Sequence, residues 1–246
     1  MTPMPATIRS WVTAIVLATA IAALAQNPLP QGLEVTAHIQ LPHTTGSAKP
    51  HSGGLPPAVL WLLPLGPTLA IPAATPPRGG YVLLQKNKMF SPHLLVVPTG
   101  SVVLFPNADP FFHNVFSLFD GKRFDLGLYE AGKTKAVTFS REGVSYIFCN
   151  IHSEMSAVVI SLSTPLYSIA DGEGAFHLHD VPAGDYEMRL WVEGEQQTAT
   201  DKLVRQVRVS PSNRNLGMIV LDSPPGSANH ENKFGQPYDR DSGTVY

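Results

Sequence analysis

Short apolar runs separated by glycine and proline recur along this chain, and no stretch carries the apolar spacing of an amphipathic helix. The 20 glycines and 23 prolines are scattered without a period, which is typical of many turns between short strands. Residues 33–40 alternate apolar and polar, residues 58–63 are continuously apolar, and residues 81–162 hold seven or eight similar runs around a predicted loop at 120–134. The pattern predicts an all-β protein built from antiparallel sandwiches.

The first 25 residues differ from the rest and predict a secretory signal peptide. Arg9 precedes an apolar run from about residue 11 to residue 24, and the small residues Ala23 and Ala25 stand where a signal peptidase reads. The alternative is an uncleaved membrane anchor, but the run is shorter than the ~20 apolar residues that a span needs. We therefore expect cleavage before Gln26, export to the periplasm or the extracellular space, and no membrane span in the mature chain.

Composition and turn signals divide the chain into five predicted segments. The formal net charge of −2 gives no reason to expect nucleic acid as a partner. The segments are a signal peptide (1–25), N-terminal strands with a Pro-rich linker (26–80), a first sandwich (81–162), a second, smaller sandwich (163–222) and a disordered tail (223–246).

The single cysteine is the most informative residue for function. Exported proteins commonly pair their cysteines, but Cys149 has no partner for an internal disulfide. It could be a buried thiol, an intermolecular bridge, a nucleophile or a metal ligand. His152 and Met155 follow it on a tight loop between two strands, and His113 lies at the start of another strand that a sandwich could bring alongside.

Each of these residues alone is more often part of a core than of a site, but together they form a recognisable ligand set. Thiolate and thioether are soft ligands, and two His, one Cys and a weak axial Met make up a blue-copper electron-transfer site. Zinc prefers a stronger fourth ligand, and calcium and magnesium prefer oxygen. A Cys–His hydrolase would leave Met155 unexplained, and no acid stands at a recognisable spacing to orient His152.

The segments "FSPHLLVVPTGSVVLFPNADPFFHNVFS" and "GVSYIFCNIHSEMSAVVI" together resemble the cupredoxins, over about residues 81–162. The branch is bacterial, plastocyanin/amicyanin-like, and also labelled methylamine-utilisation-protein-like. The resemblance implies a Greek-key β-sandwich with one type 1 copper ion. It implies the ligands His113, Cys149, His152 and Met155, with the side chain of Asn114 tying the two ligand segments together.

The resemblance also implies a role. Such proteins carry single electrons and are not enzymes, and they dock their redox partner near the second histidine ligand. Here that residue is His152, and Ile151, Phe111 and Phe112 are candidates for an apolar patch around it. The alternative is a periplasmic copper-binding protein for storage, delivery or sensing without electron transfer.

The stretch "SIADGEGAFHLHDVPAGDYEMRLW" is similar to the carboxypeptidase-regulatory-like, transthyretin-like β-sandwich modules. Its pattern is structural, with glycines for turns and aromatic residues for the core. Residues 33–63 resemble the opening strands of such modules, so the first sandwich is hypothesised to be inserted into the second. The alternative is that these strands extend the first sandwich. The pattern residues are Asp171, Gly174, Phe176, Val181, Pro182, Gly184, Tyr186 and Trp191.

Overall fold

The computed structural model describes residues 32–40, 55–66, 71, 76–118, 121–195, 203–221, 232–234 and 236. The described chain is all-β: it forms seventeen strands and no helix. The strands are β1 (Leu33–Gln40), β2 (Ala58–Pro64), β3 (Tyr81–Val82), β4 (Leu84–Lys86), β5 (Met89–Ser91), β6 (Leu94–Pro98), β7 (Ser101–Pro106), β8 (His113–Ser117), β9 (Phe124–Tyr129), β10 (Thr134–Phe139), β11 (Gly143–Cys149), β12 (Ser156–Leu162), β13 (Tyr167–Ile169), β14 (Ala175–Val181), β15 (Gly184–Val192), β16 (Arg205–Val209) and β17 (Asn215–Val220).

Strands β3 to β12 form the first sandwich. One sheet has the order β6-β12-β11-β8-β9, the other has the order β10-β7-β3, and β4 and β5 form a separate hairpin. The apolar residues that alternate along these strands meet between the two sheets, with Phe105 and Phe139 from one sheet packed in the same cluster as Ile147 and Val159 from the other.

Strands β1, β2 and β13 to β17 form the second sandwich, with sheets ordered β14-β1-β17 and β13-β2-β15-β16. Val35 of β1 stands opposite Leu178 of β14, and Leu60 of β2 stands opposite Leu190 of β15. The N-terminal strands therefore pair with strands of residues 163–222, as the insertion hypothesis requires. The chain leaves this sandwich after β2 and returns to it at β13.

The turn residues of the second sandwich have the structural roles that their pattern indicates. Asp171 Oδ1 accepts hydrogen bonds from the backbone N–H groups of Glu173 and Ala175 at 2.9 and 2.8 Å. Gly174 has φ +89°, and a Cβ there would lie 2.7 Å from a backbone oxygen of β1, so only glycine fits. The hydroxyl of Tyr186, which is fully buried, donates to the carbonyl of Pro182 at 2.7 Å.

In the described chain, the two sandwiches are packed face to face, so that their four sheets are stacked. Successive residues of β12 point to opposite faces, so Val159 lies in the core of the first sandwich while Val158 and Ile160 lie in a second cluster with Val59 and Trp191. The Nε1–H of Trp191 donates to the hydroxyl of Tyr146 at 3.2 Å across this interface.

A side-chain pair at the edge of the same interface joins the two sandwiches. His93 Nε2 lies 2.7 Å from Glu193 Oε1, and His93 Nδ1 lies 3.1 Å from the carbonyl oxygen of Ser156, the first residue of β12. Glu193 directly follows β15, so the second sandwich contacts the first close to the end of the Cys149–Met155 loop.

The predicted loop at 120–134 is wrong in part, because β9 occupies Phe124–Tyr129. Phe124, Leu126 and Leu128 alternate with Asp125 and Gly127, but the glycines and charged residues on both sides of this run are typical of a loop. Phe124 and Leu126 nevertheless pack against the core, and β9 pairs with β8 from Ser117↔Phe124 to His113↔Tyr129. Long-range pairing outweighs the local turn signal.

The predicted signal peptide (1–25) lies outside the described residues, as does most of the predicted tail. Residues 232–234 and 236 of that tail are described. The backbone N–H of Lys233 donates to Asn150 Oδ1 at 3.0 Å, so this part of the tail is held against the first sandwich. Within the described ranges, no helix is long and apolar enough to cross a membrane.

Candidate metal centre

Two neighbouring strands bring the candidate ligands to one end of the first sandwich. Cys149 is the last residue of β11, and His113 is the first residue of β8. The strands pair with Cys149 opposite Val115, which places the cysteine beside the start of β8. His152 lies on the loop that follows Cys149.

The donor atoms of these three residues converge. Cys149 Sγ lies 3.7 Å from His113 Nδ1 and 3.6 Å from His152 Nδ1, and the imidazole centroids are 4.9 Å apart. All three donors lie within 4.8 Å of one another, and they form the one group of three or more His, Cys, Asp or Glu residues in the described chain that could hold a metal ion.

The separations fit one ion bound between the donors. With metal–sulfur and metal–nitrogen bonds of ~2.3 and ~2.0 Å, three donors in a trigonal arrangement stand with sulfur and nitrogen ~3.7 Å apart. The distances from Sγ to the two Nδ1 atoms match this value without any movement of the side chains. The three donors could therefore hold a metal ion.

Burial favours the neutral form of both imidazoles, which is the form that binds metal. Burial lowers the pKa of His113 below its usual value, and the hydrogen bond and charge of Asp109 oppose this only in part. Burial also lowers the pKa of His152, and the repulsion that its protonated ring would meet from a protonated His113 and from Lys88 lowers it further. Neutral imidazole with a free Nδ1 is the ligand form, so neither ring must lose a proton near neutral pH.

The thiol of Cys149 is fully buried, and burial raises its pKa. The backbone N–H groups of Asn114, Ile151 and His152 act in the opposite direction, because they are directed at the sulfur. These groups would stabilise a thiolate once a metal ion displaces the proton.

Met155 closes the ligand loop. Its carbonyl accepts from the Cys149 N–H at 3.2 Å, and its own N–H donates to the His152 carbonyl at 3.2 Å. The side chain is fully buried in the same core cluster as Cys149. The loop from Cys149 to Met155 is thus a compact, internally hydrogen-bonded turn with the thioether on the core side.

The side chain of Asn114 has a different partner from the one that the resemblance implies. Its Nδ2 donates to Asp125 Oδ1 of β9 at 2.7 Å, while its Oδ1 has no hydrogen-bond partner among the described residues. Lys233 Nζ donates to Asp125 Oδ2 at 2.8 Å, and the Lys233 backbone N–H reaches Asn150, next to Cys149. The two ligand segments are therefore linked through β9 and the C-terminal tail.

Sequence reasoning missed Asp109, which contacts His113 directly. Asp109 Oδ2 lies 2.9 Å from His113 Nε2, and both side chains are buried, 5% and 0% exposed. The turn of the β4–β5 hairpin also contacts this carboxylate, through the N–H groups of Asn87 and Lys88. The spacing Asp109-x3-His113 is the one signal in the sequence that could have suggested this contact.

The ring of His152 is partly exposed and borders apolar side chains. Phe112 is 46% exposed and Ile151 is 39% exposed, while Phe111 packs its ring 5.6 Å from the ring of His152. The residues predicted to form an apolar patch therefore include two exposed ones directly beside the ligand positions, and the third supports both histidines.

Comparisons with known proteins give partial and distant likenesses. No protein-family model and no curated protein matches the chain. A purple cupredoxin from Nitrosopumilus maritimus is 23% identical, covering 33% of this chain and 99% of that chain, with a TM-score of 0.31. An amicyanin from Paracoccus versutus is 22% identical, covering 35% and 84%, with a TM-score of 0.32. A Cu-containing nitrite reductase from Thermus scotoductus SA-01 is 24% identical, covering 41% of this chain and 27% of that chain, with a TM-score of 0.32.

Proposed function

We propose that this chain is an exported type 1 copper protein that carries single electrons between redox partners. The observation that carries the proposal is the placement of two imidazole Nδ1 atoms, 3.7 and 3.6 Å from one buried cysteine sulfur. Met155, fully buried beside them, would be the weak fourth ligand. Copper bound by His113, Cys149, His152 and Met155 would supply a one-electron couple.

The chemistry of the donors favours copper over other metals. A thiolate and a thioether are soft, and the described site offers no carboxylate or carbonyl cage of the kind that calcium or magnesium requires. Zinc could occupy a His₂Cys set, but it prefers a stronger fourth ligand or an open position with water. Two imidazoles, one thiolate and a thioether match the blue-copper set.

The burial of the donors favours electron transfer over copper delivery. His113, Cys149 and Met155 are all 0% exposed, so an acceptor protein that takes the metal could contact only the fourth donor, His152, directly. The four protein donors would also leave no open position for a substrate, which supports a carrier rather than an enzyme. The chain holds its donors on paired strands and a hydrogen-bonded loop, so they would move little when the charge changes.

The partner would dock at the end of the sandwich where His152 lies. Phe112 and Ile151 offer exposed apolar surface there, and Glu154 adds one exposed acid at its edge. Such a patch suits a transient complex with another protein, since a small apolar interface excludes water but binds with low affinity. Export through the predicted signal peptide would place this exchange in the periplasm or outside the cell.

Copper titration of the purified mature chain tests the proposal, with Cys149→Ser as the matched control. The wild-type chain is expected to bind one equivalent of copper(II), to develop a strong visible thiolate-to-copper band, and to cycle between oxidised and reduced forms without losing metal. The control should lack that band. A colourless complex that releases copper on reduction would contradict electron transfer and indicate storage or delivery instead.

A further inference from the structure

Asp109 contacts the edge of the His113 ring at Nε2, on the side of the ring opposite to Cys149. The carboxylate lies on the loop between β7 and β8 and accepts a hydrogen bond from His113 Nε2–H at 2.9 Å. This bond fixes the proton on Nε2, because an ionised carboxylate has no proton to donate. The lone pair of Nδ1 is then directed at the position between the ring and Cys149 Sγ, 3.7 Å away.

Both oxygens of the Asp109 carboxylate have hydrogen-bond donors, although the side chain is only 5% exposed. Backbone N–H groups directed at a carboxylate favour its ionised form. The Asn87 N–H reaches Oδ1 at 2.6 Å, and the Lys88 N–H reaches Oδ2 at 3.0 Å.

The turn that supplies these two donors has an unusual backbone. Asn87 and Lys88 both have φ of 56°, the left-handed conformation that a two-residue hairpin turn needs. Two successive N–H groups in this turn point at one anion and form a small anion-binding concavity. The β4–β5 hairpin thus holds a buried negative charge against the imidazole, from a part of the chain more than twenty residues away from His113.

The loop that carries Asp109 is itself fixed. The side chain of Asn107, which is buried, donates to the carbonyl of Phe111 at 2.8 Å and accepts from the Asp109 N–H at 3.0 Å. The backbone of Ala108 donates to the carbonyl of Gln85 in β4 at 2.8 Å. Asp109 therefore cannot swing away from His113 without breaking several buried hydrogen bonds.

We propose that Asp109 is a positioning residue that orients His113 and shifts the relative affinity of the metal centre from copper(I) toward copper(II). This inference rests on the proposed function. A carboxylate that accepts the second ring proton makes the imidazole a stronger donor and holds its tautomer. The negative charge also stabilises the more highly charged ion more strongly, so Asp109 lowers the reduction potential of the centre.

The test is Asp109→Asn, which removes the charge at nearly constant shape, with Asp109→Glu as the conservative variant. Asp185→Asn is the control, because it removes an exposed carboxylate that is paired with Arg208 in the second sandwich. Copper(II) and copper(I) affinities are measured separately by chelator competition, and the reduction potential is measured by redox titration.

For Asp109→Asn, the copper(II) affinity is expected to fall 10- to 100-fold. The copper(I) affinity should fall less, so the potential should rise by about 59 mV for each tenfold change in the ratio of the two affinities. Asp109→Glu should recover part of the difference, and the control should leave the ratio unchanged. A wild-type ratio and potential in Asp109→Asn, with an intact visible band, would overturn the proposal while leaving the copper site standing. A wild-type chain that forms no copper centre would instead overturn the proposed function.

If Asp109→Asn does not fold, the tautomer of His113 in the metal-free wild-type chain tests the proposal instead. Nitrogen-15 NMR of the histidine rings should show His113 with its proton on Nε2 and with slow exchange of that proton. A proton on Nδ1 in the metal-free protein would refute the role assigned to Asp109, because the carboxylate would then not be controlling the tautomer.

Discussion

Trp191→Ala tests whether the four-sheet stack opens as one unit. Trp191 is 2% exposed and lies in the cluster between the sandwiches, with its Nε1–H bonded to Tyr146. Replacing a buried tryptophan by alanine costs about 3–5 kcal/mol, since apolar area is lost and a cavity remains. For a chain of this size, that loss corresponds to a fall in Tm of about 6–20 °C.

The Trp191→Ala substitution should also weaken the contact between the two sandwiches, because Trp191 belongs to the cluster that packs their sheets together. Hydrogen exchange followed by mass spectrometry can report opening of residues 81–162 and 163–222 independently. In the wild type, both regions should open with the same free energy. In Trp191→Ala, the second sandwich should open first. Urea denaturation measures the total loss of stability.

Leu190→Ala is the matched control for this experiment. Leu190 is also 2% exposed and is the preceding residue of β15, but its side chain packs in the core of the second sandwich. Leu190→Ala should lower the free energy of unfolding by a similar ~2–5 kcal/mol while leaving the cluster between the sandwiches intact. The reasoning fails if Trp191→Ala costs less than about 1 kcal/mol, or if its two regions still open together while those of Leu190→Ala separate.

Three further outcomes are expected. Tyr186→Phe should lower the free energy of unfolding by about 1 kcal/mol in urea denaturation, because the partly buried carbonyl of Pro182 loses its hydrogen-bond partner. An unchanged midpoint would argue against that role. Lys233→Met should speed the loss of bound copper to a chelator with little change in Tm, because it removes the ammonium group that donates to Asp125. An unchanged release rate would show that the contact between Lys233 and Asp125 does not support the site. The hydrogen bond and charge of Glu193 raise the pKa of His93 above its usual 6.5. The pair therefore stabilises the fold fully below pH 6.5, and this contribution is lost as the pH rises through the raised pKa. Glu193→Gln should therefore lower Tm more at pH 5.5 than at pH 8.5. The difference should be small because the His93 side chain is 43% exposed. An equal fall in Tm at both pH values would refute the predicted pH dependence.

The close placement of Cys149, His152 and Met155 could be predicted from the sequence because it is local. Cys149, His152 and Met155 lie within seven residues between two apolar strands, so a tight turn must bring them together whatever surrounds it. His113 could be named because its ligand chemistry completes the set. The all-β class likewise follows from the alternation of short apolar runs, since side chains on a strand point to its two faces in turn.

Other features of the site and the fold needed the tertiary structure, because they join parts of the chain that are far apart. The contact of Asp109 with the Asn87–Lys88 turn depends on where a hairpin lands on a distant loop, and the link from Asp125 to Lys233 spans 108 residues. Strand β9 was missed because glycines and charged residues flank its short apolar alternation, and its pairing with β8 outweighs that local loop signal.

The amino-acid sequence by itself determined which residues alternate, where the chain turns and which donors lie on one loop, because these properties act over a few neighbouring residues. The tertiary structure alone decided that both faces of β12 are buried, that the first sandwich is inserted in the chain between β2 and β13 of the second, and that the buried carboxylate of Asp109 contacts His113. The physical reason is that sheet stacking and buried charge pairs depend on register and layer order, which are fixed only when the whole chain packs.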